Sequence, residues 1–194
     1  DTDYVLTSKE LGRMIKEAGI DFDVLEPEPN DSPFGEYSGA GTIFGASGGV
    51  AEAAVRTAYE FATSETLNDV DIKEMRGTTN RCRDIELDLK GTKLVVRIVS
   101  TLKEAEKSIQ EIKAGKAQFS MLEVMACPGG CVNGGGQPRS CDNSHIKEER
   151  AEGLYKEDAM LPVRKSHCNA SIEKLYDEFL ETPNSHKAHE ILHT

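Results

Sequence analysis

Cys127 and Cys131 are the residues of this sequence best placed to do chemistry. They lie four positions apart inside MLEVMACPGGCVNGGGQP, Met121–Pro138, where an apolar run ends and glycines follow. Glycine lets the backbone reach positive φ and come close to a bulky group. Pro128 stiffens the turn and removes one hydrogen-bond donor. The stretch therefore predicts a buried strand that ends at a site, in a loop suited to an inorganic cluster.

Three kinds of chemistry are compatible with this cysteine pair, besides the possibility that the cysteines have only a structural role. A zinc site would add Cys141 and either His145 or Cys168, although zinc ligands usually come in close pairs and only one such pair is present. A redox disulfide would resemble C-x-x-C motifs with one residue more. The two cysteines could also be buried and unliganded, or supply two of the four thiolates of an iron–sulfur cubane. From residue chemistry alone, the cluster is the leading interpretation.

The composition limits the classes of function further. Five cysteines are an odd count, unlike the disulfide framework of a small secreted domain. Their clustering in glycine-rich sequence favours metal or redox chemistry in a reducing compartment, and we expect a cytoplasmic protein. The net charge of −11 disfavours nucleic acid as a partner. No apolar run approaches the ~20 residues of a membrane span. The chain begins with Asp1, so we expect a processed chain or a piece of a longer one.

The elements before the cysteines follow from capping and periodicity. Thr7 and Glu10 have capping-box spacing and predict a helix that ends near Gly19. A loop follows, rich in Pro, Gly, Asp and Ser. The glycine-rich turn Gly45–Gly49 then leads into another helix, with Ser47 as its candidate cap. Such a turn can seat an anion, but we favour a simple role in close helix packing.

The approach to the cysteines alternates between strand and helix patterns. Strand, helix and strand in that order predict a right-handed crossover and a parallel pair of strands. In such sheets the site lies beyond the carboxyl ends of the strands, which is where Cys127 stands. The fold class is therefore α/β, with a parallel sheet core flanked by helices. The predicted elements are the strands Ile85–Leu89 and Leu94–Val99, the turn Lys90–Lys93, the helix Leu102–Lys116 and the strand Phe119–Met125.

The last quarter of the chain is predicted to be helical. Helical patterns cover Ile146–Asp158, the segment SIEKLYDEFLETP and the closing HKAHEILHT. We divide the chain into an α/β lobe over residues 1–140, with the cysteine-bearing loop, and a helical tail over 141–194. Three histidines of the tail share one helical face, and we interpret them as part of a packed or solvated helix rather than a metal site. They are His186, His189 and His193.

The stretch EVMACPGGCVNGGGQP resembles the third signature of the [FeFe]-hydrogenases. Three other segments agree with that family: Ser38–Glu60, SIEKLYDEFL and HKAHEILHT. The resemblance spans essentially the whole chain and corresponds to the C-terminal part of the catalytic domain. It implies one lobe of a two-lobed α/β domain whose H-cluster lies in the cleft between the lobes. That cluster is a 4Fe-4S cubane joined through a cysteine sulfur to a di-iron unit with CO, CN⁻ and dithiolate ligands.

The resemblance assigns roles to five residues of this sequence. Cys127 would ligate the cubane, and Cys131 would ligate it and supply the sulfur that bridges to the di-iron unit. Met125 would line the di-iron pocket, and Phe44 and Gly45 would lie against the same unit. Without the resemblance, Met125 and Phe44 would be interpreted as ordinary core residues.

Two earlier signatures of the family are absent from this sequence. They hold the other cubane-ligating cysteines, the proton-relay cysteine and a lysine that contacts a cyanide. Cys82, Cys141 and Cys168 do not match the family's ligand positions. The sequence thus predicts two of the four cubane ligands and no catalytic residue in this chain, with the proton-relay cysteine upstream.

The resemblance implies a fragment of an enzyme that reversibly reduces protons to dihydrogen. Its partners would be the N-terminal half of the catalytic domain and an electron donor, either ferredoxin or accessory iron–sulfur or flavin subunits. The fragment alone is predicted to be inactive. The alternative is a hydrogenase-like iron–sulfur protein with a non-catalytic role in cluster assembly or sensing.

Overall fold

The computed structural model describes residues 2–29, 31, 36–139 and 145–192 of the chain. Seven α-helices and three strands occur in these residues, joined by short 3-10 turns. The helices are α1 (Ser8–Glu17), α2 (Gly39–Thr42), α3 (Gly49–Thr63), α4 (Leu102–Lys113), α5 (Ile146–Met160), α6 (Ala170–Leu175) and α7 (His186–Leu192). The strands are β1 (Cys82–Leu89), β2 (Thr92–Ser100) and β3 (Met121–Met125).

The three strands form one sheet in the order β1-β2-β3. β2 and β3 are parallel, with Val96 opposite Met121, which confirms the predicted parallel pair. β1 pairs antiparallel with β2, so the sheet is mixed. Its hairpin loop is two residues, Lys90 and Gly91, both at positive φ, as a tight hairpin turn requires. The α/β fold class predicted from the sequence is confirmed.

The crossover helix α4 links the parallel strands. It ends at Lys113, three residues earlier than predicted, because Gly115 takes a left-handed conformation at φ 66°. Arg97 of β2 donates to Glu111 of α4 at 2.5 Å and to Asp84 of β1 at 2.6 Å. This charged contact fixes α4 against one face of the sheet.

Helix α3 covers the opposite face of the sheet. Its Ala51 and Val55 join a buried cluster that includes Val96 and Ile98 of β2. Arg56, also on α3, is fully buried and donates to Glu52 at 2.7 Å and to Asp158 of α5 at 2.8 Å. Buried charges of this kind are tolerated only when paired. α3 is therefore the element to which both the sheet and α5 are attached.

The start of α3 differs from the prediction that Ser47 caps it. Gly48 is the N-cap, at φ 94°, and as a glycine it has no side chain with which to cap the helix. The Ser47 hydroxyl instead faces the Ser100 hydroxyl at 3.5 Å. A Cβ on Gly48 would lie 1.9 Å from the Met75 carbonyl oxygen, so close packing explains this glycine.

The C-terminal part is helical, as predicted, through α5, α6, a π-helical segment Tyr176–Leu180 and α7. His186 and His189 lie in α7, and His193 lies outside the described residues. The boundary between lobe and tail stays a prediction. None of the helices in the described part of the chain has the length and apolar character needed to cross a membrane.

Candidate metal centre

Residues 126–138, which we name the cysteine loop, begin directly after β3. Gly129 and Gly130 take φ values of 85° and 93°, which turn the chain back sharply. The Gly130 amide donates to the Cys127 carbonyl at 3.0 Å, and a 3-10 turn starts at Cys131. Cys127 is half-buried, Cys131 is exposed, and both carry free thiols. The loop thus presents two accessible thiols on one short turn.

The cysteine loop is packed against the segment Ile43–Gly48 with almost no space between the two backbones. The Ser47 amide donates to the Gly129 carbonyl at 3.1 Å. A Cβ on Gly130 would lie 2.6 Å from the Gly45 carbonyl oxygen and 2.7 Å from the Ser47 nitrogen. Only glycine fits there, so the glycine between the cysteines is required by a backbone contact within the chain.

Helix α5 supports the cysteine loop from behind. Val132 is buried and packs with Ala46 and Ala151. Arg150 of α5 donates to the Val132 carbonyl at 3.0 Å and to the Pro138 carbonyl at 2.6 Å. The loop is therefore held at its strand, at its turn and at its far end.

Glu123, on β3, joins the strand that leads to the cysteines to the start of α3. Its carboxylate is buried and accepts from the Gly48 amide at 2.6 Å and the Ala51 amide at 2.7 Å. Burial raises the pKa of Glu123, while these backbone hydrogen bonds oppose the rise. The anion seat suggested by the glycine-rich turn is thus occupied by a side chain of the protein itself.

Sequence reasoning missed this role of Glu123, although a signal was present. A carboxylate at a core-facing position of an apolar strand needs dedicated donors, because burying it unpaired is costly. The open amides of a glycine-rich helix start are such donors. Neither the apolar strand nor the glycine-rich turn predicts by itself that Glu123 binds the Gly48 amide, since the two residues are 75 positions apart.

The other residues predicted for the site lie in different relations to the cysteine loop. Gly45 contacts Gly130 through its backbone, as described above. Met125 is the last residue of β3, and its carbonyl accepts from the Thr101 amide at 2.7 Å. Phe44 is 45% exposed and lines an open groove of about 420 Å³ along α3, with Thr57 and Phe61 among the other lining residues. The structure brings Gly45 to the loop and places the Phe44 side chain on the surface of α3.

The remaining cysteines do not join the pair in the described part of the chain. Cys82 begins β1, where burial raises the pKa of its thiol. Cys168 lies in the 3-10 turn Ser166–Cys168, beside Glu60 and His167. Cys141 lies outside the described residues. The cysteine loop by itself offers two sulfur donors, which fits half of a cubane's ligand set and leaves the other half to be supplied from elsewhere.

Two family profiles match the chain. The family described as iron only hydrogenase large subunit, C-terminal domain, matches residues 1–135, and the one described as iron hydrogenase small subunit matches residues 144–194. The NADP-reducing hydrogenase subunit HndD of Solidesulfovibrio fructosivorans is 43% identical over all of this chain and 33% of its own length. Iron hydrogenase 1 of Clostridium pasteurianum is 43% identical over all of this chain and 34% of its own length.

A lower similarity extends to a different class of protein. A probable cytosolic Fe-S cluster assembly factor of Drosophila willistoni is 33% identical over all of this chain and 41% of its own length. Among solved structures, a variant of the [FeFe]-hydrogenase HydA1 from Chlamydomonas reinhardtii has a TM-score of 0.73 and 37% identity. That match covers 97% of this chain and 54% of the other.

All of this chain aligns with each of the two hydrogenases, and it spans about a third of the length of each. The profile match over residues 1–135, the two full-length alignments at 43% identity and the shared fold agree with one another. The chain therefore belongs to the iron-only hydrogenase family, in the C-terminal domain of its large subunit.

Proposed function

We propose that this chain supplies two ligands of the H-cluster in an iron hydrogenase that interconverts protons and electrons with dihydrogen. The observation that carries the proposal is the clamped cysteine loop, with two free thiols at the carboxyl end of β3. A ligand turn has to keep its shape while a cluster is inserted, and this one is fixed by backbone contacts at Gly129 and Gly130. The identity of 43% to two hydrogenases supports the same function.

In this proposal the cysteines hold the cluster, and three neighbouring residues line its pocket. Cys127 and Cys131 would hold the cubane, and Cys131 would also be the ligand nearest to the di-iron unit. Met125 and Gly45 would form part of the wall around the di-iron unit, and Phe44, which lies in an open groove along α3, would join that wall once the rest of the catalytic domain covers it. The cluster, when bound, supplies the redox chemistry, while the protein contributes ligation and a dry pocket.

The rest of the catalytic domain completes the site in this proposal. It brings the remaining cubane ligands and the proton-relay cysteine, and ferredoxin or accessory iron–sulfur or flavin subunits bring electrons. The relatives of known length support a larger protein, because this chain covers a third of each. The cytoplasmic location stays a prediction, since the relatives include a periplasmic [Fe] hydrogenase as well as cytosolic assembly factors.

The alternative function is cluster assembly or sensing without hydrogen turnover. It is favoured by alignments that span all of this chain to cytosolic Fe-S cluster assembly factors, one of them at 33% identity over 41% of its own length. Two observations place it second. The identity to the two hydrogenases is ten points higher (43% against 33%). The resemblance also assigns Met125, two residues before Cys127, to the pocket of the di-iron unit, which a non-catalytic protein would not need.

A chimaera separates the two functions. This chain replaces the matching C-terminal segment of the Clostridium pasteurianum iron hydrogenase 1, and the product is matured and purified without oxygen. We expect iron and acid-labile sulfide at the level of the parent enzyme and hydrogen evolution from a reduced dye. Cys131→Ala should abolish both the native EPR signal and the activity, because a cubane's binding energy is shared across its four thiolates.

Cys82→Ser is the matched control, because Cys82 is a free thiol at the start of β1 and has no role in the proposal. It should leave iron content and hydrogen evolution unchanged. A chimaera that binds a full cubane but evolves no hydrogen would favour the assembly function. A chain that binds a stable cubane without the upstream part would contradict the reading of two ligands out of four.

A further inference from the structure

A second group of metal-ligating side chains lies away from the cysteine loop, between α3 and the 3-10 turn Ser166–Cys168. Glu60 of α3 meets His167 and Cys168 there. One potential ligand atom from each of these residues lies within 4.8 Å of the other two. Glu60 and His167 are half-buried, and Cys168 is exposed, so the group opens to solvent on one side.

The first two side chains of this group are held in place by other residues. The Nδ1 atom of His167 is 2.9 Å from the Thr57 hydroxyl. Glu60 Oε1 accepts hydrogen bonds from Lys165 Nζ at 2.6 Å and from the Leu67 amide at 2.8 Å. These contacts leave Glu60 Oε2 and the Nε2 atom of His167 facing each other at 2.6 Å. Metal-binding histidines are commonly oriented by a hydrogen bond at the second ring nitrogen, and Thr57 supplies such a bond here.

Three potential ligand atoms remain, namely Glu60 Oε2, His167 Nε2 and Cys168 Sγ, and they offer a metal one oxygen, one nitrogen and one sulfur. Zinc accepts all three donor types, at about 2.0–2.3 Å, and open zinc sites use three protein ligands with water in the fourth position. Two such ligands on a tetrahedral ion stand roughly 3.3 Å apart, from the same bond lengths. The 2.6 Å contact between Glu60 and His167 therefore has to open by well under 1 Å for an ion to replace the shared proton.

The charge of the group is compatible with a divalent ion. Glu60 is a carboxylate that carries a negative charge at neutral pH, as glutamate ordinarily does, and it accepts from Lys165 Nζ at 2.6 Å. Cys168 would add a second negative charge once its thiol is deprotonated by the metal. The positive charge of Lys165 offsets one of these two negative charges. A divalent ion, its two anionic ligands and Lys165 together then carry a net charge of about +1, which water and solvent can screen.

We propose that Glu60 Oε2, His167 Nε2 and Cys168 Sγ form an open binding site for one zinc ion, with water as the fourth ligand. The site joins the C-terminal half of α3 to the turn that precedes α6. Zinc bound there stabilises the native chain by an amount that grows with the logarithm of its free concentration. The proposal is independent of the cysteine loop and of the hydrogenase function.

Cobalt titration tests the site, because tetrahedral cobalt with a thiolate ligand has strong visible bands and a sulfur-to-metal charge-transfer band. The full chain carrying Cys127→Ser and Cys131→Ser is used, so that the cysteine loop cannot take the metal, with a phosphine as the reductant. We expect one equivalent of Co²⁺ to bind with both features and zinc to displace it. Cys168→Ser should remove the charge-transfer band, and His167→Gln should weaken binding at least tenfold.

Two further variants make the test specific. Thr57→Val removes only the partner of His167 Nδ1, and we expect roughly tenfold weaker cobalt binding with the charge-transfer band kept. Cys82→Ser changes another exposed free thiol and should alter nothing. A charge-transfer band that survives Cys168→Ser, or no cobalt band at several equivalents of metal in a chain that is folded by circular dichroism, would overturn the proposal.

Discussion

The cysteine loop and helix α1 are fixed to the molecule in opposite ways. The loop follows a buried strand, contacts the Ile43–Gly48 segment backbone to backbone and is supported by α5. α1 has no buried residue, and its contacts with the cysteine loop are confined to its start, where Thr7 and Lys9 lie against Gly136. Thr7 and Glu10 form the capping box predicted from the sequence, and the Lys9 amide donates to the Gly136 carbonyl at 3.2 Å. The cysteine loop is fixed mainly by tertiary packing, whereas α1 is fixed mainly by the capping box of its first turn.

The glycines of the cysteine loop and the apolar residues of α1 therefore have different uses within this chain. Gly129, Gly130 and Gly136 of the cysteine loop each lie so close to another part of the same chain that a Cβ there would be crowded. The apolar side chains of α1 have no such use: Leu11 is 49% exposed and Met14 is 51% exposed. An amphipathic helix normally buries its apolar face, so α1 is expected to gain its packing from the rest of the catalytic domain.

Gly130→Ala should produce the largest loss of stability. The new Cβ would lie 2.6 Å from the Gly45 carbonyl oxygen, and the residue would have to keep φ 93° with ψ −169°, a region that only glycine occupies freely. We expect a loss of roughly 3 kcal/mol or more in the free energy of unfolding, from backbone strain and overpacking together. Chemical denaturation of the two chains measures it.

Gly135→Ala is the matched control for this prediction. It lies in the same loop, and a Cβ there would meet no heavy atom within 4 Å. Its effect on the free energy of unfolding should stay within ~0.5 kcal/mol. Equal losses for the two substitutions would show that the loop is not clamped at Gly130, and the contrast with α1 would then fail.

Glu123→Gln should have the next largest effect. The amide can accept from only one of the two backbone donors, so the other is left facing an NH₂ group. The cost is about 1–3 kcal/mol for the lost hydrogen bond in a buried position. Urea denaturation at a pH well below 4.5 gives the full difference from the unsubstituted chain, because the carboxyl is then protonated in both states and its hydroxyl oxygen, unlike an NH₂ group, can still accept from the second amide.

The pH dependence of that difference tests the raised pKa of Glu123. The native carboxyl keeps its proton to a higher pH than the unfolded one, whose pKa is near the usual 4.5. Its contribution to stability therefore falls as pH rises from about 4.5 to the native pKa. The gap between the unsubstituted chain and Glu123→Gln should narrow over that window. A gap that widens would mean that the backbone hydrogen bonds outweigh burial.

Much of this fold was readable from local pattern. The capping box at Thr7, the parallel pair joined by α4 and the strand leading to Cys127 each follow from short-range signals, and the structure contains all three. The cysteine loop was placed at the end of that strand for the same reason. Such signals suffice where one segment decides its own conformation.

The contacts that fix the site could not be read in this way. Glu123 accepts hydrogen bonds from the amides of Ala51 and Gly48, which are 72 and 75 positions away. Position 130 has to be glycine because the carbonyl of Gly45 leaves no room for a Cβ. The group at Glu60 and His167 likewise joins residues 107 positions apart. Ser47 was predicted as a cap because its spacing permits it, but Gly48 at positive φ begins the helix instead.

Thr7→Ala should have a smaller effect, confined to α1. It removes the N-cap hydroxyl, which accepts from the Glu10 amide at 3.3 Å, and costs about 1 kcal/mol of helix stability. Hydrogen exchange of the α1 amides should become about fivefold faster, while the global free energy of unfolding changes by less than ~0.5 kcal/mol. Thr7→Ser keeps the cap and should leave the exchange rates unchanged. A matching global loss would show that α1 is part of the cooperative core.

Leu11→Ser combined with Met14→Ser should have the smallest effect on this chain and separates the two regions most clearly. α1 has no buried residue and lies outside the packed core, so the loss should stay within α1, and the global free energy of unfolding of the isolated chain should change by less than ~0.5 kcal/mol. In the chimaera with the Clostridium pasteurianum enzyme the same pair should lower the melting temperature, because each side chain gains up to about 1.5–3 kcal/mol when it is fully buried. Arg13→Ser, on the same helix, is the control and should behave alike in both settings. If the pair is neutral in the chimaera as well, α1 does not pack against the rest of the catalytic domain, and its apolar face needs another explanation.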